Sequence, residues 1–216
     1  MRKPFSAWKT GAPYYVPLLV LGLGAMAYMA AQGQVYLGMA ALVPGFFVLY
    51  FFRDPPRRIT TDPREIVSPA DGLVVDIARL ENTPYYDGRC TRISIFLSIF
   101  NVHVNRMPDD AAITRMECRE GAYKNAMSAE SSEVNEANTL WLDTPHGPMT
   151  LRQIAGLVAR RIVCVPEVGE TLKKGERFGM IKFGSRTELY LSPDAEVLVA
   201  VKDKVQGGST VVARFP

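Results

Sequence analysis

Apolar and polar positions follow two different patterns along the chain, with a boundary near residue 53. Residues 10–52 contain no Asp, Glu, Lys, Arg or His, and Gln32-Gly33-Gln34 divides them into two halves. Each half approaches the ~20 residues that a helix needs to cross the apolar core of a bilayer. The pattern therefore predicts an apolar helical hairpin within residues 1–52 that attaches the protein to a membrane.

Basic residues flank this hairpin on both sides. Because positively charged flanks stay on the cytoplasmic side of a membrane, both ends are expected at the cytoplasmic face of the cell (inner) membrane. Pro44-Gly45 leaves open whether the hairpin spans the bilayer or enters it only partly, and a buried helical pair inside a soluble protein is the alternative. Residues 53–66 predict a basic, Pro-rich linker beside anionic headgroups. The flanking basic residues are Arg2, Lys3 and Lys9 before the hairpin, and Arg53, Arg57 and Arg58 after it.

From residue 67 onward, apolar residues mostly alternate with a period of two. Runs of this kind that contain β-branched residues predict strands. Residues 119–138 are polar and small, and they predict a long surface loop. The expected fold class is mainly β (α+β), with residues 67–216 as one β-rich domain. The clearest predicted strands are residues 73–77, 92–97, 149–154 and 157–165.

Two glycine-bounded stretches near the end of the chain, residues 168–176 and 204–209, repeat a similar rhythm. Their form, Gly-x-x-Val/Leu-x-x-Gly between short β-runs, resembles the hairpins of biotinyl- and lipoyl-carrier domains. That resemblance implies a β-sandwich or small barrel and, by itself, no chemistry.

Charge and cysteine usage exclude several classes of function. Three of the 25 basic residues precede residue 10, so the rest of the chain balances its 22 acidic residues, which argues against a nucleic-acid partner. The cysteines Cys90, Cys118 and Cys164 form no Cys-x-x-Cys pair, so a disulfide framework is not expected. Two histidines without companions at ligand spacing predict no metal site.

Few residues in the β-rich part combine the types that catalysis uses. His146 lies in a Pro/Gly turn and is interpreted as a turn residue. His103 follows an apolar strand, where a histidine is either a buried structural residue or a base. Asp71 precedes Gly72 and, taken alone, is a turn residue.

Gly184-Ser185 lies inside a β-rich segment, where such a pair usually forms a turn or bulge. The pair has one chemical use, because glycine leaves its carbonyl unshielded and permits unusual backbone dihedrals. The Ser185 hydroxyl can attack the Gly184 carbonyl and move the acyl group from nitrogen to oxygen. Such a step needs a base, which His103 would supply, and a carboxylate to orient it, which Asp71 would supply.

The apolar hairpin and five short strings of this sequence closely resemble those of the short-form bacterial phosphatidylserine decarboxylases. The resemblance spans nearly the whole chain, with the strings in the right order. They are Phe52-Arg53-Asp54-Pro55, Ser68-Pro69-Ala70-Asp71-Gly72, Phe100-Asn101-Val102-His103-Val104-Asn105-Arg106, Gln153-Ile154-Ala155-Gly156 and Phe183-Gly184-Ser185.

The resemblance implies a self-processing, pyruvoyl-dependent enzyme. After acyl transfer and β-elimination, residue 185 would become a pyruvoyl group, and the chain would split into a large chain 1–184 and a small chain 185–216 that remain together as a heterodimer. The pyruvoyl ketone would form a Schiff base with phosphatidylserine in the membrane, and His103 would donate a proton after carbon dioxide leaves. No metal is implied, and a higher oligomer is left open.

The chain departs from longer members of the family at two places. Some of them have a second histidine where this chain has Arg106, and the Leu-Gly-Ser-Thr motif of longer members is replaced by Phe183-Gly184-Ser185-Arg186. Arg106 and Arg186 are the candidates for binding the substrate phosphate. The alternative function is a membrane-anchored, lipoyl-like adaptor without catalysis, which explains the hairpin and the glycine rhythm but not Asp71, His103 and Gly184-Ser185.

Overall fold

The computed structural model describes residues 5–128, 130–157, 161–182 and 184–216. Two units divide the chain, Ser6–Pro55 and Pro56–Pro216, the second of which also includes Phe5. The helices are α1 (Ala7–Ala31), α2 (Val35–Ala40), α3 (Val43–Phe51) and α4 (Ser131–Val134). The strands are β1 (Glu65–Val67), β2 (Gly72–Leu80), β3 (Cys90–Leu97), β4 (Val104–Arg106), β5 (Ala111–Arg119), β6 (Ala137–Thr144), β7 (Gly147–Ala155), β8 (Ile162–Cys164), β9 (Thr171–Leu172), β10 (Arg177–Ile181), β11 (Ser185–Leu191), β12 (Glu196–Val197), β13 (Lys204–Val205) and β14 (Val211–Arg214).

The first unit is the predicted apolar helical hairpin, which the structure confirms. Helix α1 ends before Gly33, whose φ of 75° lies in the left-handed region that glycine adopts at helix ends. Helices α2 and α3 then pack along α1. The second half of the hairpin is divided in two, with Pro44 in the first turn of α3, where its missing N–H costs no helical hydrogen bond.

Close approach between these helices depends on small residues. A Cβ added to Gly45 would lie 2.7 Å from a side-chain carbon of Leu19, so α1 and α3 can meet only because residue 45 has no side chain. Helix α1 is long and apolar enough to cross a membrane, whereas the segment Val35–Phe51 is shorter. Most of the exposed large apolar side chains of the described residues belong to this unit.

The second unit consists of antiparallel sheets, as the mainly β prediction requires. One sheet has 8 strands in the order β13-β2-β3-β11-β7-β6-β5-β9. Two three-stranded sheets have the orders β1-β14-β12 and β4-β10-β8. The fold class predicted from the sequence, mainly β with an N-terminal apolar hairpin, is therefore confirmed.

Strand β11 lies in the interior of the large sheet and is buried along its whole length. Successive side chains of a strand point to opposite faces. Leu189 and Leu191 join the main apolar core, and Ser185 and Thr187 share their face by this alternation. Arg186 and Glu188 point to the opposite face, where they bond to each other. Both faces of one strand are therefore committed to buried contacts.

The prediction of a long surface loop over residues 119–138 is wrong in part. Strand β5 continues to Arg119, β6 begins at Ala137, and α4 lies between them. Ser131 and Ser132 are buried, because their hydroxyls find hydrogen-bond acceptors inside the protein. Of the strand predicted over residues 157–165, the structure describes β8, while residues 158–160 lie outside the described part.

Candidate active site

Ser185 is the first residue of β11 and lies between two neighbouring strands. Its Cα partners are Leu97 on β3 and Ala155 on β7. The side chain is completely buried, and its Oγ has no hydrogen-bond partner among the described residues. A buried hydroxyl without a partner is costly in a folded protein, so its presence indicates a function other than stability.

Gly184 precedes this serine in a backbone conformation that suits glycine. Its φ is +71°, and no atom lies within 4 Å of the place where a Cβ would stand. The left-handed conformation, rather than crowding, therefore favours glycine at this position. Phe183, the first residue of the Phe183-Gly184-Ser185 string, lies outside the described residues.

His103 is also fully buried, and its ring lies beside the backbone N–H of Gly184. The Nδ1 atom is 3.0 Å from the carbonyl oxygen of Asn101, and the backbone N–H of Gly184 points to Nε2 at 3.4 Å. Because a carbonyl oxygen only accepts hydrogen bonds, we infer that Nδ1 carries the proton and Nε2 is unprotonated. This is the tautomer that a base acting on the Ser185 hydroxyl requires.

Backbone pairing holds His103 close to the end of β10. Strand β4 pairs with β10, and the Ile181 N–H donates to the carbonyl of His103 at 3.4 Å. The sequence motif around His103 therefore lies against the end of the strand that precedes the Gly-Ser pair.

A chain of buried side-chain amides fixes the same segment against β11. Asn105 donates to the Thr187 hydroxyl at 3.3 Å, and Gln153 donates to the Asn105 carbonyl oxygen at 2.8 Å. Asn138 donates in turn to Gln153 at 3.1 Å. These contacts explain why the motifs around His103 and Gly156 carry amide side chains, a role that the sequence alone did not assign.

Asp71 forms ionic and backbone contacts in the same unit. Arg57 donates to both of its carboxylate oxygens, at 3.0 and 2.8 Å, and the Gly207 N–H donates to Oδ1 at 2.8 Å. The sequence predicts Arg57 in a linker beside lipid headgroups and does not indicate its pairing with Asp71. The contact that orients Nδ1 of His103 is the Asn101 carbonyl, so the expected action of Asp71 on that ring stays a prediction.

Two cavities lie next to Asp71. The first, about 390 Å³, is lined partly by Arg57, Arg106 and Arg177. The second, about 470 Å³, is lined by Asp71 itself. Its other lining residues are Gly72, Leu73, Phe96, Ser98, Asn101, Met127, Lys204, Val205 and Gln206, a mixture of apolar and polar groups.

The two arginines expected to bind phosphate have different surroundings. Arg106 lines the first cavity and donates to the Gly175 carbonyl at 3.1 Å. Arg186 is 1% exposed, and its guanidinium contacts Glu188 and the Ser94 hydroxyl. The expectation for Arg186 stays a prediction, with no contact that favours it. Among the described residues, no group of three or more His, Cys, Asp and Glu could hold a metal ion.

Gly156 faces the carbonyl group that the expected acyl shift would attack. A Cβ added to Gly156 would lie 2.3 Å from the Gly184 oxygen and 3.1 Å from the Cβ of Ala126. The Gly184 carbonyl therefore leaves no room for a side chain at residue 156. This gives a physical reason for the glycine in the Gln153-Ile154-Ala155-Gly156 string.

Comparison with known sequences defines the class to which this fold and site belong. The sequence model of the phosphatidylserine decarboxylase family matches residues 45–213. The chain belongs to this family. That assignment leaves the alternative of a lipoyl-like adaptor without support.

Two relatives match over the full length of the chain, and a third matches over most of it. A phosphatidylserine decarboxylase proenzyme of Carboxydothermus hydrogenoformans is 41% identical over 216 residues, which cover 100% of this chain and 99% of the relative. The proenzyme of Symbiobacterium thermophilum is 42% identical over 217 residues, covering 100% and 98%. A phosphatidylserine decarboxylase proenzyme of Neisseria meningitidis is 45% identical over 171 residues, which cover 79% of this chain and 64% of the relative.

Replacing Gly156 with alanine should slow cleavage of the Gly184–Ser185 bond. The new methyl group would displace the Gly184 carbonyl, and a misplacement of about 1 Å can cost on the order of 10²-fold in rate. We expect at least about a tenfold longer half-time for loss of the full-length chain, followed on gels after cell-free synthesis.

Gly24→Ala is the matched control, because a Cβ at Gly24 meets no atom within 4 Å. This variant should cleave like the unmodified chain. Cleavage of Gly156→Ala at the unmodified rate would contradict the assigned packing at the scissile carbonyl.

Proposed function

We propose that this protein is a phosphatidylserine decarboxylase that makes its own pyruvoyl group from Ser185. One observation carries the proposal: among the described residues, the buried Ser185 hydroxyl has no hydrogen-bond partner, and it follows a left-handed glycine whose backbone N–H points to Nε2 of His103. The two relatives that match over the whole chain are phosphatidylserine decarboxylase proenzymes, which supports the same activity and a precursor that is processed.

Maturation begins with an acyl shift at the buried serine. The Ser185 Oγ attacks the carbonyl carbon of Gly184, and the carbon–nitrogen bond breaks as the new ester bond forms. His103 takes the hydroxyl proton at Nε2 and returns it to the departing nitrogen of residue 185. A base then removes the Cα proton of residue 185, the Gly184 carboxylate leaves, and water replaces the nitrogen, which departs as ammonia.

The new group and the enzyme residues have separate tasks in decarboxylation. When present, the pyruvoyl ketone condenses with the substrate amine and accepts the electrons released as carbon dioxide leaves. His103 holds a proton within the same site and donates it to the substrate carbon. Asp71, held by Arg57 and the Gly207 N–H, is assigned a supporting role as a carboxylate in the wall of a cavity.

The phosphate of the substrate is assigned to Arg106. This residue lines a cavity together with two other arginines, and guanidinium groups bind phosphate oxygens in pairs. The neighbouring cavity at Asp71 combines apolar walls with polar groups, as a lipid headgroup with its first chain carbons requires.

The two chains made by cleavage should stay together as a heterodimer. Residues 185–216 contain β11 and β13 of the large sheet, and β12 and β14 of a smaller one. Strand β11 pairs on both sides with strands of residues 1–184. Cutting one peptide bond removes none of these interstrand contacts.

The apolar hairpin gives the enzyme access to a lipid substrate at the cytoplasmic face of the inner membrane. Exposed apolar side chains along Ala7–Phe51 support this role, as does the length of α1. A diacyl lipid leaves a bilayer slowly, so an enzyme attached to the membrane meets its substrate where the substrate is.

Ser185→Ala tests the proposed origin of the catalytic group. Without the hydroxyl there is no nucleophile, so the chain should remain full length and inactive. Ser185→Thr keeps a hydroxyl and should cleave slowly. The readouts are gel mobility and release of carbon dioxide from phosphatidylserine.

Ser192→Ala is the control, since it removes the same atom just beyond the other end of β11, where the hydroxyl bonds to Asp194. It should be cleaved and active. Efficient cleavage of Ser185→Ala would show that an external protease makes the break.

Removal of residues 1–52 tests the membrane role. The truncated protein should no longer sediment with membranes, and its turnover of long-chain phosphatidylserine should fall much more than that of a short-chain, soluble analogue. An equal loss on both substrates would mean that the hairpin serves the fold rather than access to lipid.

A further inference from the structure

Glu188 is a buried carboxylate that the proposed chemistry does not use. Its side chain is completely buried, with Arg152 at 3.0 Å and the Nε of Arg186 at 3.0 Å. The hydroxyls of Ser132 and Tyr190 donate to it as well. Burial would raise the pKa of Glu188, but the two arginines outweigh it and lower the pKa below the usual value. The two arginines therefore favour the ionised form of this buried carboxyl group.

The position of Glu188 along β11 separates it from the serine. It lies three residues after Ser185, and the alternation of the strand points the two side chains to opposite faces. Glu188 therefore has no route to the reacting atoms through its own side chain. Any effect on the site must pass through the residues that it holds.

The residues held by Glu188 belong to the segment between β5 and β6. Ser132, in α4, donates its hydroxyl to the carboxylate, and its carbonyl accepts from Arg152 at 2.9 Å. Arg186 also donates to the Ser128 carbonyl at 3.5 Å. The carboxylate and its two arginines thus fasten two points of this segment to β7 and β11.

The same segment reaches the scissile carbonyl. Ala126 lies next to Gly156, and the Gly184 oxygen lies on the same side of Gly156, so the three groups share one small space. Met127 extends into the cavity that Asp71 lines. Movement of residues 126–128 would open the space in which the carbonyl is held.

We propose that Glu188 is a positioning residue for self-cleavage, acting through Ser132 and the segment that contains Ala126 to hold the Gly184 carbonyl for attack. This role rests on the proposed function of Ser185. It differs from simple support of the fold, because it predicts a delay at one chemical step, the acyl shift, in a chain that remains folded.

The most selective variant is Ser132→Ala, which removes the link between the carboxylate and α4 but leaves both arginine pairs in place. Its cleavage half-time after cell-free synthesis should be at least about tenfold longer, since misplacement of reacting groups by about 1 Å can cost on the order of 10²-fold. Glu188→Gln should show a larger delay, and Glu188→Asp, which keeps the charge, should recover part of the rate.

Hydroxylamine locates the delayed step, because it cleaves esters and not the peptide bond. It should not restore the rate in Ser132→Ala or Glu188→Gln, as the ester has not formed. Restoration of the unmodified rate by hydroxylamine would overturn the inference, and so would unmodified cleavage of Ser132→Ala.

Asp109→Asn is the matched control for loss of a buried carboxylate. Asp109 is paired with His146 at 2.9 Å and Lys174 at 3.4 Å, and its side chain is 3% exposed. This variant should cleave within about threefold of the unmodified rate even where its thermal unfolding midpoint falls. An equal delay in Asp109→Asn would show a general effect of stability and would overturn the inference. Failure of the unmodified chain to cleave would instead contradict the proposed function itself.

Discussion

The pairing of β11 on both of its edges is the constraint on which the rest of the site depends. Ser185 begins this strand opposite Leu97 and Ala155, so its position is set by two hydrogen-bonded neighbours rather than by a flexible loop. The residue before it, Gly184, takes the left-handed backbone conformation. A rigid strand on one side and a glycine on the other give the scissile bond a defined geometry.

Each face of β11 then adds a different kind of polar support. On the Ser185 face, Thr187 accepts from Asn105, which ties the segment carrying His103 to the strand. On the other face, Glu188 and its arginines tie down the segment before β6. Buried polar groups of this kind are stable only when they are bonded, so the two networks specify one arrangement of the surrounding chain. The Ser185 hydroxyl differs from these groups, because it is buried and has no hydrogen-bond partner among the described residues.

Sequence patterns predicted the mainly β fold and the apolar hairpin, because both depend on local periodicity. They also marked Gly184, Ser185 and His103 as candidates, and the resemblance to the decarboxylases favoured a chemical role over the structural roles that such residues usually have. The burial of Ser131 and Ser132 was missed, because small polar residues in a row are typical of surface loops. Glu188, the buried partner of Ser132, lies on a strand that is distant in the sequence. Contacts of this kind depend on strand order, which periodicity does not determine.

The central claim is that Ser185 becomes a pyruvoyl group through cleavage by the protein itself, and intact mass spectrometry of the purified protein tests it most directly. We expect two chains, residues 1–184 and residues 185–216, with the small chain lighter by one ammonia than the product of simple hydrolysis. An active protein that consists of one full-length chain would contradict this account, as would a small chain that begins with an unmodified serine.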